Sequence, residues 1–106
     1  MTGEVRTLCR RLRDEFQRLY GERLRGVFLF GSHARNEADA ESDVDVLVVL
    51  SSFTSYAGEI ERTSEAVARL ALEYGVQVSR SFVTWDQWTR GDSPFVANVK
   101  EEAIAA

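Results

Sequence analysis

Two apolar runs separated by only thirteen residues restrict the topology of this chain more than any other feature. "GVFLF" (Gly26 to Phe30) and "VDVLVVL" (Val44 to Leu50) are short and rich in β-branched and aromatic residues. Each predicts a buried strand. Joining two strands in parallel takes a crossover of a dozen residues or more, usually a helix with its loops. The charged segment between these runs, "GSHARNEADAESD", is too short for that. The two strands are therefore expected as neighbours in a mixed or antiparallel sheet. In an antiparallel pair the end of the first meets the start of the second.

The residues at that meeting point carry the chemistry. Gly31-Ser32 stands where the first strand stops. Glycine lacks Cβ, so the backbone there can turn tightly and approach a ligand closely. If Ser32 opens a short helix, its hydroxyl and the first free N–H groups form an anion site. Turns use the same residues for steric reasons, and this alternative stays open. Asp43 and Asp45 enter the second strand one residue apart. Side chains alternate along a strand, so both carboxylates point to one face with Cα atoms roughly 6.5–7 Å apart, and Val44 and Val46 point into the core. Two carboxylates so placed repel each other unless a cation lies between them. Mg²⁺ suits such a pair, because it takes one or two carboxylates and completes its octahedron with water and substrate phosphates. A polar turn capped by the two aspartates is the competing reading. A phosphate cradle beside a Mg²⁺ site is the arrangement phosphoryl transfer requires.

The run "GSHARNEADAESDVDV" resembles the signature of the minimal nucleotidyltransferases, the small members of the DNA-polymerase-β-like nucleotidyltransferase superfamily. Their motif is Gly-Ser, ten residues, then Asp-x-Asp. Gly31-Ser32, the ten residues His33 to Ser42, and Asp43-Val44-Asp45 match it. The Ala34-Arg35 pair and Ser42 also look like the family. The resemblance implies a small mixed sheet flanked by helices, an α/β or α+β fold. It implies transfer of a nucleoside monophosphate, usually AMP from ATP, with two Mg²⁺ ions serving the entering and leaving oxygens. Gly31 and Ser32 would then hold the triphosphate, with Arg35 and Ser42 beside it, and Asp43 and Asp45 would be the catalytic carboxylates that ligate metal. Short family members resemble antitoxin partners of small helical HEPN proteins, so a partner of that kind is implied too, with a small-molecule (antibiotic) acceptor as the lesser alternative.

The superfamily normally places a third carboxylate on a later strand. Here that strand is "GVQVSRSF", whose polar face offers Gln77 and Ser79 instead. Glu73 precedes it and Asp86 follows it. A weakly active or inactive nucleotide-binding module that works by protein contact is therefore the rival to an active transferase.

The remaining elements follow from periodicity. Val5, Leu8, Cys9, Leu12, Phe16, Leu19 and Tyr20 form one helical stripe. Tyr56 to Tyr74 reads as a second helix with Ile60, Val67, Leu70, Ala71 and Tyr74 inward. "WDQW" starts a short turn or helical piece, and Ser93-Pro94 opens a last helix. Phe95, Val96 and Val99 on it either cover the sheet or serve a partner or homodimer contact. His33, the only histidine, is expected as an exposed loop residue, and Glu37, Asp39 and Glu41 as solvated loop charges.

Length and composition bound the rest. A chain of 106 residues, 44% hydrophobic and 28% charged, suits one domain spanning residues 1–106. One cysteine allows no internal disulfide and predicts a reducing, cytoplasmic setting. No apolar run approaches a membrane span, and "MTGEVRTLCRRLRDEF" is too charged for a signal peptide. The net charge of −4 argues against direct nucleic-acid binding as the main task, although residues 1–25 hold seven arginines against four acids.

Overall fold

The computed structural model describes residues 2–106. Helix α1 (Gly3–Tyr20) starts at Thr2, whose hydroxyl accepts the Val5 N–H at 3.1 Å. Its predicted stripe is buried at Val5, Leu8, Cys9, Leu12, Phe16 and Tyr20, but Leu19 is 41% exposed. The four-residue steps from Leu12 to Phe16 to Tyr20 each advance about 40° around the axis. By the last turn the buried face has rotated away from Leu19.

A single 3₁₀ turn (Gly21–Arg23) leads into β1 (Leu24–Phe30). After the thirteen-residue loop come β2 (Val44–Leu50), α2 (Tyr56–Tyr74), β3 (Val78–Thr84), α3 (Trp85–Arg90), α4 (Pro94–Glu102) and a two-residue strand β4 (Ile104–Ala105). The side chains of Ser55, Thr84 and Ser93 cap α2, α3 and α4. Gly75 ends α2 in the left-handed region that glycine favours. No described helix is long and apolar enough to cross a membrane.

The sheet order is β3-β2-β1-β4. β1 runs antiparallel to β2 and to β4, whereas β2 and β3 are parallel and joined through α2. The sheet is thus mixed and flanked by helices, an α+β fold in the expected class. One face, with Val27, Leu29, Val44, Val46, Val48, Leu50 and Phe82, packs against the apolar sides of α1 and α2. The other, with Phe28, Phe30, Leu47, Val49 and Val83, is covered by Trp88, Val96 and Val99. Val96 and Val99 therefore cover the sheet, and the neighbouring Phe95 lays its ring edge-on to Phe30.

The α2 face also buries polar groups that periodicity does not mark. Thr63 is fully buried, and Glu59 accepts the Tyr20 hydroxyl at 2.7 Å and pairs with Arg62. The sequence offers no signal for strand β4. Two residues after a helix carry no alternation to read, and the pairing of Ile104 with Leu29 and Ala105 with Phe28 comes from β1, not from local sequence.

Candidate active site

The antiparallel register brings the two halves of the motif together. Phe30 pairs with Asp45 across the β1–β2 ladder, so Gly31 leaves β1 directly beside that carboxylate. Gly31 has φ +78°, and a Cβ at this position would sit 2.3 Å from Asp45 Oδ2. Its missing side chain makes room for a carboxylate of the same chain, in addition to the freedom the turn needs.

The loop after it is one tight turn, not the short helix considered for Ser32. Arg35 N–H donates to Gly31 O at 3.1 Å and Glu37 N–H to Ser32 O at 2.9 Å, after which Asn36 takes a positive φ and ends the turn. His33 is buried, contrary to its expected exposure, and its Nε2 lies 3.3 Å from Ser42 O, so the ring spans the two ends of the loop. Asp39 is exposed, as expected, and takes part in hydrogen bonds within the loop. Its carboxylate accepts from Glu41 N–H and the Ser42 hydroxyl, and its own N–H donates back to Ser42 Oγ. Ser42 thus ties the loop shut just ahead of Asp43.

Val44 and Val46 are fully buried, which turns Asp45 to the opposite face, toward the side covered by α4; Asp43 is exposed at the strand entrance. The Asp45 carboxyl is held above the usual carboxylate range, first by burial and then by the charge of Asp43, with a further push from Glu102 and opposing pulls from His33 and Arg35. These two aspartates fit a hard cation. They offer oxygen donors and a mutual repulsion that a divalent ion would relieve. Among the described residues no three His, Cys, Asp or Glu side chains converge as a metal site, so further ligands for Mg²⁺ would be water and phosphate oxygens.

Neither Gln77 nor Ser79 is a carboxylate, and the strand register places Ser79 opposite Asp45. Glu73 is engaged by Arg11 and Asp86 by Arg90, each outside the motif. A different acid enters from the far end of the chain. Glu102, the last residue of α4, accepts Gly31 N–H on Oε1 at 3.0 Å and Arg35 Nη1–H on Oε2 at 2.9 Å. Arg35 also donates to Glu37 Oε2 at 3.1 Å. Arg35 first, then the Gly31 amide, hold the Glu102 carboxyl below its ordinary range. In sequence "KEEAIAA" is only the tail of the last predicted helix, and nothing local marks Glu102.

The family model described as "Nucleotidyltransferase domain" matches residues 9–106. A protein of Methanocaldococcus jannaschii, MJ0141, described as a candidate protein adenylyltransferase, is 29% identical over 76 residues, 72% of this chain and 76% of its own length. A solved structure of a candidate minimal nucleotidyltransferase superposes with a TM-score of 0.61 at 27% identity, covering 93% of this chain and 89% of that one. A toxin–antitoxin structure with AMP-PNP has the same fold, with a TM-score of 0.57 at 19% identity over 89% of this chain and 68% of that one.

Proposed function

Because the chain belongs to the nucleotidyltransferase domain family, we propose that it transfers AMP from ATP, with Mg²⁺, to a hydroxyl of a protein or other macromolecule. The observation that carries this reading is the Phe30–Asp45 pairing, which sets Gly31 beside the second carboxylate of the Asp-x-Asp pair. In such a transfer the acceptor oxygen bonds to the α-phosphorus, the bond from that phosphorus to the pyrophosphate oxygen breaks, and the hydroxyl proton leaves to base or water. Mg²⁺, when held by Asp43 and Asp45, would neutralise charge on the phosphates. Gly31, Ser32 and Arg35 would hold the triphosphate, and Ser42 would set the loop that carries them. The relative described as a candidate protein adenylyltransferase supports a protein acceptor. The toxin–antitoxin structures of similar fold support a partner protein, of which a small helical HEPN-type protein is our candidate.

A second reading is favoured by one observation. With Ser79 opposite Asp45, β3 supplies no third carboxylate for a second metal or for deprotonating the acceptor. The chain would then bind nucleotide and act by contact with its partner, with transfer slow or absent.

Calorimetric titration of ATP, GTP, CTP and UTP, with and without Mg²⁺, tests the common core. We expect Mg²⁺-dependent binding of ATP that is lost in Asp43→Asn/Asp45→Asn. Absence of binding by the wild type to any nucleotide would sink the transferase reading for the isolated chain. Where binding is found, α-labelled ATP and a partner protein separate the two readings, since only the transferase leaves label on the acceptor.

A further inference from the structure

The cradle assigned above to the triphosphate is already filled. Both oxygens of the Glu102 carboxylate are in use, one on the Gly31 amide at 3.0 Å and one on the Arg35 guanidinium at 2.9 Å. A backbone N–H at the end of a strand and an arginine fork are the donors that would take a phosphate. Glu102 holds them as a phosphate would. The Gly31 N–H is a single donor and cannot serve a carboxylate and a phosphate oxygen together. Glu102 also adds a third negative charge to the end of the sheet that carries Asp43 and Asp45, where it opposes an arriving polyanion. Its side chain remains 23% exposed, so the way out to solvent is open.

We propose that Glu102 is an internal competitor for the phosphate cradle, which it fills in the free protein and must vacate for nucleotide to bind. This inference rests on the nucleotide-binding reading above. Glu102 closes α4, and two residues later the chain pairs with β1 at Leu29, next to the strand end that leads into Gly31. The competitor is therefore held in place by the C-terminal segment, and nucleotide occupancy is coupled to that segment.

The test is calorimetric titration of Mg²⁺·ATP, and of inorganic tripolyphosphate as the bare phosphate probe, into wild type, Glu102→Gln and Glu102→Ala. Circular dichroism melts verify that each variant is folded. Removing a charge-assisted competitor is expected to tighten binding of both probes by at least about threefold in both variants. A residue that merely shaped the loop would give the opposite sign, with looser binding most marked in Glu102→Ala. If the wild type binds and the variants bind no more tightly, the competitor role is overturned while the nucleotide site stands. If no form binds either probe, both readings fall. Binding by the variants alone would support the inference most strongly.

Discussion

Gly31 answers to two constraints. Its φ of +78° lies where a side chain is strained, at roughly 1–3 kcal/mol for a non-glycine residue. The space a Cβ would need is taken by Asp45 Oδ2 at 2.3 Å. Gly31→Ala is therefore expected to lower Tm and to abolish Mg²⁺-dependent nucleotide binding by displacing Asp45. Thermal melts and calorimetry check both effects. Adding Asp45→Ala should restore only the share of stability lost to the collision, because the backbone strain stays. The Asp-x-Asp pair and Gly-Ser were legible from their types and spacing. That Gly31 gives its space to Asp45 was not, because the register between strands decides it.

The two long helices meet through charges as well as through their apolar stripes. Glu15 on α1 accepts Arg69 Nη2–H from α2 at 2.7 Å and also pairs with Arg18 on its own helix. The hydrogen bond from Arg69 is the first cause that holds the Glu15 carboxyl below its ordinary range. The unfolded chain therefore takes up this proton at higher pH than the folded one. The stabilisation is present above the unfolded value of about 4.3 and is lost as pH falls through the lowered folded value. Glu15→Gln should lower Tm at pH 7, and the wild-type and variant melting curves should converge once the pH falls below the lowered folded value. A gap that persists in acid would assign the effect to packing. The bounds of α2, Tyr56 to Tyr74, match their expectation because Ser55 and Gly75 bracket the apolar period with residues whose local chemistry starts and stops a helix. Leu19 departs from its stripe because the buried line drifts around a straight helix.

Over the whole molecule, the central β2 is covered on both sides, by α1 and α2 on one face and by α3 and α4 on the other. Phe16 is among the largest side chains fully removed from water. Phe16→Ala should cost about 3–5 kcal/mol, a large share of the 5–15 kcal/mol typical of a domain. Chemical denaturation would read it as a fall in midpoint at unchanged slope.

Periodicity, caps and loop length were sufficient for the α1 and α2 helices, for the antiparallel placement of β1 beside β2, and for the end of the sheet where Gly31 and Asp45 meet. These properties depend on neighbours a few residues apart, or on a loop too short to allow another path. The burial of His33, the pairing of β4 and the arrival of Glu102 at Gly31 were decided only in three dimensions. The last of these contacts spans seventy-one residues. Side-chain type and local spacing do not specify which distant carboxylate packing will deliver to a free amide, and it is the docking of α4 across the second face of the sheet that delivers this one.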